Sequence, residues 1–169
     1  MNTTPEHLHL ALNHLPFLGA LFAIFPLIIG LLTRSRPTIV SGLAIAAFAG
    51  WTTPFVMATG EAAYERYERG AVAGWLDPGA GEFLEIHEQR AHRWSKILYA
   101  SAGISTLGLI LALRREKWVV LAAVVSLLFC AASTMAGVWI AESGGKIRRP
   151  DFRAEPLINA EPQVEFEEE

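Results

Sequence analysis

The chain has few of the residues and motifs that mark common enzyme classes. It contains a single cysteine, Cys130, so no intramolecular disulfide can form. No CxxCH sequence is present, which excludes covalent attachment of a c-type haem. No nucleophile–base pair or phosphate-binding loop stands out. Nothing in the sequence indicates a nucleic-acid partner, and the formal net charge is −3.

Charged residues are missing from four long parts of the chain. Four stretches contain no Asp, Glu, Lys or Arg: 15–33, 38–60, 97–113 and 118–141. A helix needs about 20 apolar residues to cross the hydrocarbon core of a bilayer. We therefore predict an all-α membrane protein, built as an up-down bundle of four transmembrane helices. The predicted helices cover roughly residues 6–33, 37–60, 82–114 and 117–142.

The remaining segments divide the chain into a membrane domain and a tail. Residues 1–145 form the predicted four-helix transmembrane domain, and the acidic residues 146–169 are predicted to be mostly unstructured. Short basic connections follow the first and third helices, whereas both termini and the longer segment 61–96 lie on the other side. The density of basic residues in the short connections favours a cytoplasmic position for them, whereas the raw count, five there against nine on the other side, favours the reverse. We give the density more weight and expect both termini on the opposite side of the membrane from the short connections.

Four of the five histidines form two pairs with the same spacing. His9 and His14 repeat as His87 and His92 after 78 residues (87 − 9 = 92 − 14 = 78). Two further pairs repeat after 80 and 81 residues (114 − 34 = 80; 142 − 61 = 81): Arg34 with Arg114, and Glu61 with Glu142. These offsets predict two helix hairpins related by a pseudo-two-fold axis along the membrane normal.

Helical rotation separates the two histidines of each pair. A step of five residues turns by about 140° around a helix, so His9 and His14 cannot both face one point. On the third helix, His92 shares a stripe with Glu88 and other polar residues, and such a stripe is expected to face the bundle interior. We therefore predict that His14 and His92 face inward at nearly equal depth. His9 and His87 are predicted to lie off that face.

Two inward imidazoles on diagonally opposed helices suggest a haem site. Imidazoles at equal depth can bind one b-type haem from both sides. The cofactor-binding candidates are His14 and His92, together with His9 and His87. Three basic residues at the same boundary are candidates for binding the haem propionates: Arg93, Lys96 and Arg148.

The carboxylates at this boundary support a second hypothesis, a non-haem zinc, iron or copper ion. Glu88 and His92 are four residues apart and can bind one ion together, and glutamates of the second and fourth helices are expected in the same layer. The candidate metal ligands are His14, His92, Glu61, Glu88 and Glu142. A third hypothesis is a structural subunit of a larger complex, in which the histidines only form hydrogen bonds.

The pattern H-x4-H-x-P at residues 9–16 resembles the signature of an uncharacterised bacterial family of small four-helix membrane proteins. "TGE" at 59–61, "HE" at 87–88 and "GGKIRRP" at 144–150 are similar to its other signature positions, although Arg149 stands where we expect a histidine in related members. Such proteins are similar to small membrane domains found beside Rieske or cytochrome c components. The family pattern implies that five residues matter most: His9, His14, Glu61, His87 and Glu88.

This resemblance implies a bacterial protein, and together with the four predicted spans and the basic connections it leads us to expect a multi-pass protein of the inner membrane with both termini in the periplasm. We predict a redox protein that binds b haem through histidines at one membrane face and exchanges electrons with a partner such as cytochrome c. The expected role is that of an electron-transfer or cofactor-binding subunit rather than a stand-alone enzyme. An oligomer or a larger complex in the lipid bilayer is compatible with this role.

Overall fold

The computed structural model describes residues 4–153 and shows a bundle of four long helices. The α-helices are α1 (Pro5–Leu12), α2 (Leu15–Thr33), α3 (Arg36–Trp51), α4 (Thr53–Glu68), α5 (Ala80–Arg114) and α6 (Val119–Arg148). Short 3₁₀ turns cover Ala73–Trp75, Glu116–Trp118 and Pro150–Phe152. No β-strand occurs in residues 4–153. The predicted all-α, four-helix architecture is confirmed.

Each long helix has the length and composition of a membrane span. Four segments of 29–35 residues are long and apolar enough to cross a membrane: Pro5–Thr33, Arg36–Glu68, Ala80–Arg114 and Glu116–Arg148. About 20 residues suffice to cross the hydrocarbon core, so the ends of these helices extend beyond it. These properties are those of a multi-pass membrane protein.

Two helices are longer than predicted. The second span continues to Glu68, past the predicted end at 60, and α6 continues to Arg148, past the predicted end at 142. Residues 146–153 therefore belong to the folded bundle and not to the tail. The rest of the predicted tail, 154–169, lies outside the described residues.

Two spans are interrupted near a proline. The first span breaks between α1 and α2 at residues 13–14, and the second breaks between α3 and α4 at Thr52. Pro16 and Pro54 lie in the first turn of the helix that follows each break. Proline has no N–H to donate and its ring clashes with the preceding turn, so a straight helix is interrupted there. The short α1 packs against α4.

The four spans pack in a closed square. Helix α2 packs against α3 and α6, and α5 packs against α3 and α6, so the first and third spans lie diagonally opposite as predicted. Small residues let the backbones approach closely. A Cβ atom added at Gly30 would lie 2.6 Å from Ile39 Cγ1, and one at Gly42 would lie 2.8 Å from Leu27 Cγ. Close contacts between small residues replace the hydrophobic effect as the cause of helix association in lipid.

The two connections at one end of the bundle, 34–36 and 114–118, are called the basic end, and the opposite end is called the histidine end. At the basic end, Arg36 joins the two hairpins by donating hydrogen bonds of 3.0 Å to the carbonyl oxygens of Ala112 and Leu113. These carbonyls belong to the last turn of α5, which has no further helical donors. The guanidinium therefore caps α5 from α3.

The histidine end is closed by the segment after α6. Arg153 donates hydrogen bonds to both carboxylate oxygens of Asp77, at 2.7 and 2.9 Å. It also donates to the carbonyl oxygens of Lys146 and Ile147, and its guanidinium lies 5.0 Å from the ring centre of Phe83. The loop between α4 and α5 is thereby attached to the end of α6.

This closure is expected to open in acid. The Arg153 hydrogen bonds lower the pKa of Asp77, so this pair stabilises the folded state above the ordinary carboxyl pKa of about 3.9 and the stabilisation is lost as the pH falls through the lowered value. We expect the backbone amides of residues 152–153 to lose hydrogen-exchange protection below about pH 4, after correction for the intrinsic rate. In Arg153→Gln the protection is expected to be low at every pH. Equal protection of the native chain at pH 6 and pH 3 would contradict this role of the pair.

Candidate functional site

His9 is attached to α4 by its ring. Its Nδ1 lies 3.1 Å from the carbonyl oxygen of Val56 and 3.4 Å from Thr59 Oγ1. The ring lies against α4 at Gly60, where an added Cβ would be 2.9 Å from His9 Cε1. Because any side chain at Gly60 would occupy this space, glycine is required for the imidazole to reach the helix.

His87 repeats this arrangement on α6. Its Nδ1 lies 3.0 Å from the carbonyl oxygen of Ile140 and 3.3 Å from Ser143 Oγ. A Cβ added at Gly144 would be 3.0 Å from His87 Cε1. Each half of the bundle thus holds one histidine by a carbonyl, a hydroxyl and a glycine.

The contacts support the predicted pseudo-two-fold relation and give its register. The histidines are 78 residues apart, whereas each of their partners is repeated after 84 residues (140 − 56 = 143 − 59 = 144 − 60 = 84). By this register Glu61 corresponds to Gly145 and not to Glu142 (61 + 84 = 145). The match of Glu61 with Glu142 in the sequence was wrong, because six more residues separate the histidine from its carbonyl partner in the second hairpin than in the first (53 − 47 = 6).

The two rings meet in the middle of the histidine end. The ring centroids of His9 and His87 are 6.2 Å apart, and the ring planes are inclined by 79°. A carbonyl oxygen only accepts hydrogen bonds, so each Nδ1 carries the proton, and in the neutral ring the lone pair is on Nε2. Histidines that bind metals commonly donate their other ring N–H to a carbonyl in this way.

The pair lies in the wall of a cavity of about 340 Å³ between α1, α4, α5 and α6, called the outer cavity. Four of the five histidines line it, with three carboxylates: Glu6, Glu61 and Glu88. No lysine or arginine is among the described residues that line it. The walls otherwise consist mainly of aliphatic and aromatic side chains. The outer cavity is therefore apolar, with imidazole and carboxylate groups at its polar positions.

The predicted facing of the histidines is reversed in the structure. His14 is exposed, bonds to Asn13 through Nδ1 and has its ring centroid 5.5 Å from that of Phe17. The side chain of His92 is 52% exposed, with Nε2 3.9 Å from Glu61 Oε1 and 3.7 Å from Glu88 Oε1. Both residues line the outer cavity, but the described contacts place neither in a central pair.

The remaining candidates do not join the histidine pair. Glu142 forms ion pairs with Arg90 and Lys146 and does not line the outer cavity. The three basic candidates are all exposed and lie outside its lining: Arg93, Lys96 and Arg148. The expected carboxylate layer of Glu61 with Glu142 is therefore not formed, and no described basic residue lies where propionates in this cavity would need one.

Sequence reasoning missed several residues of the site. Glu6 pairs with Arg66 at 2.6 Å and so attaches α1 to α4. Thr53 is 2% exposed, and its hydroxyl has no hydrogen-bond partner among the described residues. The repeat of Gly60 as Gly144 was the signal that could have identified His9 and His87 as the equivalent inward pair.

The described residues form no conventional multi-ligand site. In residues 4–153, no three His, Cys, Asp or Glu side chains are arranged so that they could hold one metal ion. Zinc sites in proteins use three or four side chains, so the arrangement does not match one. The central group is a pair of imidazoles.

No family model, curated protein or solved structure matches this chain. The resemblance carried by the short histidine and glycine motifs stays a prediction, and the function is inferred from the site.

Proposed function

We propose that the protein is a membrane redox protein that binds a transition-metal ion, copper first among the candidates, between His9 and His87. The observation that carries this proposal is the symmetric pair of imidazoles. Each Nδ1 is held by a backbone carbonyl, and each Nε2 keeps a lone pair. Copper(II) has the highest affinity for nitrogen donors among the divalent first-row metals, and imidazole is a suitable ligand for it.

The distance between the rings supports the same proposal. With a metal–nitrogen bond of about 2.0 Å, two imidazoles whose Nε2 atoms both point at one ion in a straight line would have their ring centres roughly 6 Å apart. The observed separation is 6.2 Å. A two-coordinate copper(I) ion needs no third side chain, which agrees with the absence of a three-ligand cluster in residues 4–153. When bound, copper would supply one-electron chemistry, and the protein would hold it away from bulk water.

The charges of the outer cavity favour a bare cation over haem. Haem propionates are bound by arginine, lysine or other donors, whereas the described lining has carboxylates and no lysine or arginine. The volume of about 340 Å³ is near the lower end of the roughly 300–1,000 Å³ typical of small-molecule sites, and haem is a large tetrapyrrole. Haem b remains the second candidate, because two axial histidines are all the protein ligands that its iron requires.

The experiment is an absorption spectrum and a metal analysis of the protein purified from membranes without chelators. We expect about one copper per chain and no Soret band. A Soret band with matching iron would replace copper by haem b, and stoichiometric zinc or iron without that band would identify a different ion. A protein with neither metal nor haem, even after incubation with copper(I) or haem, would favour the structural-subunit hypothesis.

We propose further that the histidine end faces the periplasm of a bacterial inner membrane, where it exchanges electrons with a soluble partner such as cytochrome c. The density of basic residues at the basic end supports this orientation. Exposed carboxylates at the histidine end, such as Glu61 and Glu65, would attract a basic partner. Labelling of a cysteine introduced at Gly70 by a membrane-impermeant reagent in intact cells tests the orientation.

A further inference from the structure

A buried hydroxyl without a partner lies at the floor of the outer cavity. Thr53 lines the cavity, and its Oγ1 makes no hydrogen bond to the described residues. A threonine in a helix usually donates to the carbonyl four residues earlier, which here belongs to Ala49. That oxygen already accepts hydrogen bonds from the hydroxyl and the amide of Thr52. The Thr53 hydroxyl is therefore free to bond to a molecule in the cavity.

A second unpartnered oxygen belongs to Glu6 in α1. Glu6 Oε1 pairs with Arg66, whereas Glu6 Oε2 is buried and has no partner among the described residues. Glu6 also lines the outer cavity. The cavity thus has an unused hydrogen-bonding group at its floor and another toward the histidine end.

The walls between these two groups are apolar. They include Phe17, Met57, Leu98 and Ile140. Phe17 is packed against α6 so closely that a Cβ at Gly137 would lie 2.1 Å from Phe17 Cβ. The floor residues come from the uncharged stretches of the four spans, so the floor lies at a depth that only a lipid-soluble molecule reaches readily.

We propose that the outer cavity binds a small, flat, largely apolar aromatic molecule from the bilayer, which accepts a hydrogen bond from Thr53 through a carbonyl or hydroxyl oxygen. Cavities of roughly 300–1,000 Å³ with apolar walls and a few polar groups are typical of small-molecule sites, and about 340 Å³ suits one or two rings. Quinones have this chemistry. Thr53 lies about one helical turn below the His9 contact at Val56, so the molecule would lie beside the histidine pair, and its binding is tested in protein freed of metal.

The probe is menadione, a two-ring quinone, titrated by calorimetry into the full chain in lipid nanodiscs after treatment with a chelator. We expect saturable binding of about one molecule per chain. Thr53→Val is expected to weaken binding by about tenfold, and Thr53→Ser to restore it. Ser133→Ala is the matched control, since Ser133 is another buried hydroxyl without a partner among the described residues but lies outside the cavity lining. The affinity of Ser133→Ala for menadione should equal that of the native chain.

Three results would overturn the assignment. The first is uptake of menadione equal to that of empty nanodiscs, the second is equal affinity of Thr53→Val and the native chain, and the third is equal weakening by Ser133→Ala. If Thr53→Val does not fold, Met57→Trp, which fills the cavity from the wall, replaces it and must abolish binding. Copper binding measured in Thr53→Val separates the two proposals, because it is expected to be unchanged there.

Discussion

Replacing either His9 or His87 by alanine is expected to lower copper affinity by about 100-fold or more. Each imidazole is one of two proposed ligands, and even the loss of a group that only orients a ligand commonly costs about 10–100-fold in metal affinity. The two single variants should have similar effects, because the residues have equivalent partners in the two halves of the bundle. Competition with a chromophoric copper(I) chelator measures the affinities.

The controls for this prediction are His14→Ala and His92→Ala. These residues are exposed, and the structure does not place either in the central pair, so their copper affinities should stay within about threefold of the native value. Each alanine variant of His9 or His87 also loses a hydrogen bond worth about 1 kcal/mol. The free energies of unfolding of all four variants are therefore compared before their copper affinities. A larger effect of His14→Ala than of His9→Ala would contradict the proposed ligands.

The four spans could be predicted because a bilayer tolerates few unpaired charges. The uncharged stretches therefore located the spans, and the diagonal placement of the first and third helices followed from the connections. The ends of the spans could not be predicted in the same way. Beyond the lipid, α4 continues to Glu68 while α1 packs beside it and Glu6 pairs with Arg66. These contacts join residues 60 positions apart (66 − 6 = 60).

The histidine layer could be predicted from the repeated spacing, but the facing of its members could not. The predicted rotation between His9 and His14 holds only for one continuous helix from residue 6 to 33, whereas the structure has a break at residues 13–14. The predicted facing of His92 also required the polar stripe to mark the interior of the third span. In α5 the buried stripe consists mainly of small residues such as Ser101, Ala102 and Gly108. His87 lies on the same side of the helix, about four turns before Ser101. Small size, and not polarity, marks the helix contacts here.

The second large expected effect is on stability. Gly50→Leu is expected to lower the free energy of unfolding by about 3 kcal/mol, at the upper end of the cost of overpacking a core. Gly50 is buried in α3 against α5, and a Cβ there would lie 2.7 Å from Ala102 Cα and 3.0 Å from Ala102 N. These are backbone atoms, so they cannot rotate away, and α3 and α5 would have to separate along their whole contact.

Gly103→Leu is the matched control, since Gly103 is the next residue of α5 after Ala102. A Cβ at Gly103 would have no heavy atom within 4 Å, so leucine adds no clash and gains helix propensity of about 0.5–1 kcal/mol. Circular dichroism during titration with sodium dodecyl sulfate measures both variants in the same detergent. Destabilisation confined to Gly50→Leu would show that the close α3–α5 contact at Gly50 and Ala102 stabilises the packing of the two hairpins. Equal effects of the two leucines would instead place the cost in helix formation and contradict this contact.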